Sequence, residues 1–338
     1  MEARCVSLSS VRTDFTADAV AFCPYEGYRH LLACGCYQLM NDESPPRRTG
    51  QLLLFDATHA DSPRELQCFD GPGVLDCQWL PVSAASPNLL VTASAEGGAH
   101  FYRLESGESP QPKLHDVGLL ECEGAGWCIG LACSLPTAGA SRIALGGTSG
   151  TVHVCAVATE GERLERSWQA HELECWAVGW AAHPEAAMTL FSGADDAMLK
   201  SWDLRCDPTQ GAVAVACNRR SHGAGVCCIS PSPLRPQMIA TGSYDEKVRL
   251  WDARQLRQPL EEVRPVHCIV TVESGGSNGI LRGVSCCWQR ACMQVFAFSR
   301  YSLMVPWKLL PSILLTEWEL LWHMVLIGHT QKLQLTVD

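Results

Sequence analysis

Short runs of alternating apolar residues, each ended by proline or serine, recur along the first 265 residues and predict strands rather than helices. AVAFCP from Ala19, LDCQWLP from Leu75, GWCIGLACS from Gly126, CWAVGWAAHP from Cys175 and GVCCISPSP from Gly225 share this form. A second apolar run and a polar turn follow each of them. The chain therefore reads as a series of like β units, each needing its neighbours to bury its faces.

Two of the units are nearly copies. SGADDAMLKSWDLR (Ser192 to Arg205) and TGSYDEKVRLWDAR (Thr241 to Arg254) lie 49 residues apart. In both, a hydroxyl residue precedes an aspartate by four positions and a Trp-Asp pair begins six positions after it, the outline of a WD repeat. Weaker copies precede them. LACGCY and GQLLLFD put Phe55 and Asp56 in the Trp-Asp slots, with an insertion at Gln38 to Arg48 that suits an exposed hairpin loop. TASAEGGAHFY places Thr92, Glu96 and Tyr102 in register, and ALGGTSGTVHVCA supplies a turn at Thr148 to Gly150 with Cys155 in the tryptophan slot. Spacings of 47, 53, 47 and 49 residues between Phe55, Tyr102, Cys155, Trp202 and Trp251 are near the period of four-stranded propeller blades, about 40 to 45. The predicted fold is an all-β WD40-type propeller with five visible blades, an incomplete seven-bladed ring over residues 1–267.

Within the two strong copies, His171, Ser192, Asp196 and Trp202, and His222, Thr241, Asp245 and Trp251, are placed to form hydrogen-bond chains from turn to blade interior. These residues are expected to be structural.

Residues 268–338 break the pattern. They lack a Trp-Asp pair and are rich in Leu and Trp. Leu314, Trp318, Leu321, Trp322 and Val325 recur at helical spacing and predict a short amphipathic helix. Pro306, Lys308, Pro311, Glu317 and Glu319 interrupt the roughly 20 apolar residues a membrane span requires. The expectation is a splice-derived tail, partly helical or disordered.

Charge and cysteine content narrow the class further. A net charge of -10 with scattered Lys and Arg argues against nucleic acid and for a protein partner or cationic ligand. MEARCVSLSS holds no apolar signal core, and no Asn-x-Ser/Thr site occurs, so a cytoplasmic or nuclear location is expected. The 19 cysteines, without C-x-x-C spacing, read as free buried thiols; Cys34 with Cys36, and Cys286 with Cys287, are poor zinc frameworks. No metal or cofactor is expected. GGSNG at Gly275 to Gly279 fits the nucleophile-elbow pattern around Ser277, but that motif needs a strand-turn-helix in a parallel sheet. On motifs alone the chain is a non-enzymatic scaffold.

Taken together, LACGCYQL with an insertion before GQLLLFD, GADDAMLKSWDLR, SHGAGVCCISPSP and GSYDEKVRLWDAR resemble the eukaryotic WD-repeat diphthine methyl ester hydrolases, over roughly residues 1 to 267. The tail does not. The resemblance implies a cytosolic propeller that removes the methyl ester from methylated diphthine on translation elongation factor 2, ahead of the amidation that completes diphthamide. Ester cleavage needs a base and donors for the developing oxyanion. Asp195, His222, Tyr244 and Glu246 are the candidates, Asp195 foremost because Asp196 already fills the structural turn. A second reading comes from the W-D-x-R endings at Arg205 and Arg254, similar to those of substrate receptors that dock on the adaptor of cullin-4 ubiquitin ligases. The same arginines can instead pair with the aspartate turns of the next blade.

Overall fold

The computed structural model describes residues 6–40, 47–59, 62–81, 88–105, 111–135, 141–158, 161–183, 186–206, 211–232, 235–264, 322–326 and 332–337. After β1 (Val6–Arg12), the chain forms five consecutive four-stranded antiparallel sheets, each in sequence order. Blade 1 is β2 (Thr16–Phe22), β3 (Leu31–Met40), β4 (Arg47–Asp56) and β5 (Arg64–Pro72); blade 2 is β6 (Val74–Trp79), β7 (Leu89–Ser94), β8 (Gly98–Glu105) and β9 (Lys113–Glu121). Blade 3 comprises β10 (Cys128–Cys133), β11 (Ser141–Gly147), β12 (Thr151–Ala158) and β13 (Gly161–Gln169). Blade 4 comprises β14 (Ala177–Trp180), β15 (Thr189–Gly193), β16 (Leu199–Asp203) and β17 (Val213–Asn218). Blade 5 is β18 (Val226–Pro231), β19 (Met238–Ser243), β20 (Val248–Asp252) and β21 (Glu261–Val263). The predicted β-propeller and its five blades are present.

Core packing lies between blades. Leu31, Leu52 and Leu54 of blade 1 pack with Cys77, Trp79 and Leu90 of blade 2. Val91 and Phe101 meet Leu131 and Leu145 across the next junction, and Val152 and Val154 meet Leu190 and Trp202 across the one after. Middle strands are consequently buried on both faces, as all six residues of β7 are, whereas the outermost strands such as β9 are largely exposed. In blade 5 the middle strands β19 and β20 alternate between buried and partly exposed positions, the signature of a sheet covered on one face by the described residues. Ten of the fourteen described cysteines are buried and all are free, which fits packing as small apolar side chains.

The tail departs from expectation. Trp322–Leu326 and Lys332–Val337 are strands, β22 and β23, and β23 pairs antiparallel with β1 from Val6↔Val337 to Arg12↔Lys332. Trp322 and Val325 therefore lie on a strand and not on the amphipathic helix their spacing suggests; WHMVL and KLQLTV are too short for a helix and gain ladder partners. The sixth sheet, ordered β1-β23-β22, thus joins the first strand to the last residues. Leu314, Trp318, Leu321 and Ser277 lie outside the described residues. No helix among the described residues is long and apolar enough to cross a membrane.

The hairpin turns between second and third strands share one strained position. Five residues before the closing aromatic or cysteine stand Gly97 (φ 90°), Gly150 (φ 80°), Ala197 (φ 60°) and Glu246 (φ 67°). Left-handed φ costs a residue with a Cβ more than it costs glycine. Ala197→Gly is expected to raise stability by about 0.5 to 1 kcal/mol, net of the added chain freedom when unfolded, read as a higher urea midpoint at unchanged slope.

Candidate functional site

The hairpin turns and the connections entering each inner strand converge on one mouth of the propeller. The same backbone contact recurs in four blades: the amides of Ala95, Thr148, Asp195 and Tyr244 donate to the carbonyls of Gly73, Trp127, Glu174 and Gly225, at 2.9 to 3.0 Å. These four residues stand seven positions before Tyr102, Cys155, Trp202 and Trp251. Counting the same distance back from Phe55 stays on β4 and reaches Arg48, which pairs with Leu39, so in blade 1 the equivalent position is Tyr37. One blade position therefore presents Tyr37, Ala95, Thr148, Asp195 and Tyr244 around the mouth. Trp127, Trp176 and Gly225 directly precede the inner strands β10, β14 and β18.

Asp195 and Tyr244 meet at Gly225. A side chain there would meet the Asp195 carboxylate and press on the Tyr244 ring, so it would push the carboxylate aside. Tyr244 and Trp176 stand nearly perpendicular, ring centroids 6.5 Å apart and planes at 85°. Asp195 is exposed and carries no ion pair among the described residues. Partial desolvation and the neighbouring charge of Glu174 raise its pKa above the ordinary carboxylate value, offset in part by the nearby Trp176 side chain. A carboxylate of this kind is a better proton acceptor than a free aspartate.

The other sequence candidates are placed differently. Glu246 is exposed at the turn, 3.8 Å from Arg264. His222 is buried inside blade 5, where its Nε2 meets Thr241 Oγ1 at 2.9 Å and the Trp251 indole N–H donates to the same hydroxyl at 2.8 Å. Burial, followed by the charge of Arg249, pushes the His222 pKa down to about 4, so the ring is neutral and is held inside the blade by Thr241.

The structural tetrad is complete in blade 4. The Trp202 indole donates to Ser192 Oγ (2.7 Å), Ser192 bonds His171 Nε2 (2.7 Å), and His171 Nδ1 bonds Asp196 (2.9 Å). Blade 5 differs, because Arg249 takes Asp245 through two nitrogens at 3.1 and 2.7 Å and leaves His222 Nδ1 buried without a hydrogen-bond partner. At the opposite end of β16 and β20, Arg205 and Arg254 each grip the aspartate of their own W-D-x-R segment, Asp203 and Asp252, at 2.6 Å. Among the described residues neither pairs with the aspartate turn of a following blade, the pairing expected from sequence, because the fork closes on a carboxylate two residues away.

Sequence reasoning passed over Arg48, Trp127 and Trp176. The Arg48 guanidinium stacks 4.0 Å above the Trp127 ring and 5.4 Å from that of Tyr37. Tyr37, Trp127 and Trp176 all pack against Leu75, Ala95 and Ile129, which ties blades 1 to 4 together at this mouth. The available signal was that Trp127 and Trp176 lie 49 residues apart, in phase with the repeat.

The WD domain, G-beta repeat family matches residues 216–252, within blades 4 and 5. The human protein named diphthine methyltransferase is 34% identical over 286 residues, covering 76% of this chain and 61% of the human one. The mouse protein of that name is 35% identical over 276 residues, covering 76% of this chain and 56% of its own. The chain thus spans about three fifths of the length of these relatives. Among solved structures, Sqt1 from Chaetomium thermophilum superposes with a TM-score of 0.54 at 14% identity, over 76% of this chain and 74% of that one, a likeness of fold alone. Identity of about a third over three quarters of the chain, the repeat match and the propeller architecture make this chain a WD-repeat relative of the diphthine methyltransferases.

Proposed function

We propose that this chain hydrolyses the methyl ester of methylated diphthine on translation elongation factor 2, leaving the free carboxylate for amidation. The observation that carries the reading is Asp195, an exposed carboxylate with a raised pKa and no ion pair among the described residues, set against Tyr244 and Trp176 at the mouth. The names of the relatives place methyl chemistry on diphthine. Hydrolysis asks the protein for a base and for donors to the oxyanion. Asp195 takes a proton from the attacking water as its oxygen bonds the ester carbon, and the protonated carboxyl then returns that proton to the departing methoxide, giving methanol. Tyr244, whose phenol is a donor, and the exposed Glu246 stand on the same turn and border the approach.

Incubation of the purified chain with elongation factor 2 bearing methylated diphthine tests this. Mass spectrometry is expected to show loss of one methylene mass from the modified histidine peptide, with methanol released in equal amount. A substrate left intact, while a full-length relative cleaves it in parallel, would overturn the assignment for this chain.

A further inference from the structure

Blades 4 and 5 satisfy one buried hydroxyl in the same way. Ser192 accepts from the Trp202 indole at 2.7 Å and bonds His171 Nε2 at 2.7 Å, and Thr241 has the same two partners in Trp251 at 2.8 Å and His222 at 2.9 Å. In blade 2 the hydroxyl is Thr92, ten positions before Tyr102 as Ser192 and Thr241 are ten before their tryptophans. Both of its partners are replaced. Tyr102 takes the tryptophan place, and Pro72 stands 30 positions before it, where His171 and His222 stand 31 and 29 before theirs. Thr92 is buried and has no hydrogen bond among the described residues; His100, opposite it on β8, bonds Asp116 at 2.7 Å and stacks on Tyr102. Blade 3 lacks the same pair but carries Ala125, Leu145 and Cys155 at the three places, so no hydroxyl is stranded there.

Where those rings would stand, a cavity of about 300 Å³ lies between blades 1 and 2. Thr92 lines it with Leu52, Phe69, Val74 and Tyr102, and the exposed Asp70 and Gly71 open it to solvent along β5. Phe69 and Tyr102 form two of its walls, ring centroids 5.1 Å apart and planes at 57°. We propose that this cavity is a binding site for an indole-class ring, a planar heteroaromatic whose N–H donates to Thr92 and whose body packs against Phe69 and Tyr102. The proposal goes beyond the hydrolase reading and does not rest on it, since every lining residue belongs to blades 1 and 2. The volume stands at the lower end of the small-ligand range, roughly 300 to 1,000 Å³. A buried hydroxyl without a partner favours a ring that donates over one that only fills space. Indole N–H to hydroxyl is also the bond that blades 4 and 5 make at this place from within the chain. Such a ring is a free small molecule or the tryptophan side chain of a partner protein, and its chemistry at Thr92 is the same in both.

Ligand-observed NMR on the full chain tests this with indole, 1-methylindole and the capped tripeptide acetyl-Gly-Trp-Gly-amide as probes. Saturable binding of indole is expected, and 1-methylindole, which has no N–H, should bind about tenfold more weakly. Thr92→Val removes the hydroxyl and should bring indole to within about twofold of 1-methylindole; a difference that came only from the bulk of the added methyl would persist. Pro72→His returns to blade 2 the ring that blades 4 and 5 hold, and should raise the urea midpoint while weakening indole about tenfold by taking the hydroxyl. Tripeptide binding within about threefold of indole assigns the ring to a partner's tryptophan, and a tripeptide that does not compete assigns it to a free small molecule; both uphold the site. No saturable indole binding, equal binding of indole and 1-methylindole, a preference for the N–H that survives Thr92→Val, or indole affinity unmoved by Pro72→His would each overturn the proposal.

Discussion

Asp195→Asn lowers the rate of methyl release from methylated diphthine by on the order of 10² to 10⁴, the range typical of removing a general base. Folding should not confound the result. Asp195 is exposed and holds no ion pair among the described residues, so its neutralisation is expected to change stability by no more than about 0.5 kcal/mol. The acid limb of the rate profile gives a sharper test. Asp195 accepts a proton only when ionised, so activity falls as pH drops through its pKa, and desolvation with the Glu174 charge sets that limb above the ordinary carboxylate position. Glu174→Gln removes the neighbouring charge, lowers the Asp195 pKa and moves the limb to lower pH. A limb that stays where it was in Glu174→Gln, or a rate that survives in Asp195→Asn, rules Asp195 out as the base.

The repeat was legible in the sequence because its landmarks are structural. Ser192, Asp196 and Trp202, and Thr241, Asp245 and Trp251, hold fixed spacings since a hairpin of one length must bring the indole under the hydroxyl, and those bonds are present at 2.7 and 2.8 Å. Asp195 could be singled out as surplus to that template, and it does sit at the mouth. Arg48 was hidden by the long hairpin of blade 1, where it stands on β4 opposite Leu39 and outside the turn positions that the other blades share. Trp127 and Trp176 read as the opening residues of apolar strands, because period-two alternation does not distinguish a core tryptophan from one at a strand's entrance. The tail strands escaped notice for a related reason. WHMVL is a short apolar run that fits a helix or a strand equally well, and the alternation of KLQLTV is too brief to stand alone until a partner such as β1 appears.

The difference between blades 4 and 5 leads to the largest stability effect. Arg249 is almost wholly buried, yet it forks onto Asp245 and places its Nε 2.9 Å from Glu262. Arg249→Ala strands the Asp245 carboxylate in a half-buried turn beside an unsatisfied His222, and is expected to cost about 3 to 5 kcal/mol, read from the urea midpoint. Arg249→Lys should cost less, because the equivalent residue in blade 4, Lys200, reaches the Ala170 carbonyl at 2.6 Å while Asp196 keeps His171. In that variant Asp245 is free to turn to His222 Nδ1, and the His222 pKa should rise. The sign follows from the present arrangement. With a folded pKa near 4 against about 6.5 when unfolded, His222 binds its proton more readily in the unfolded chain, so stability present above pH 6.5 is lost as pH falls toward 4. Burial and the Arg249 charge cause that loss, in that order; exchanging the fork for a lysine that points elsewhere, with Asp245 bonded to the ring, narrows the window. Stability curves of wild type and Arg249→Lys measured from pH 7.5 to 4.5 should therefore converge as pH drops. Curves that remain parallel would show that His222 is not the group through which blade 5 senses acid.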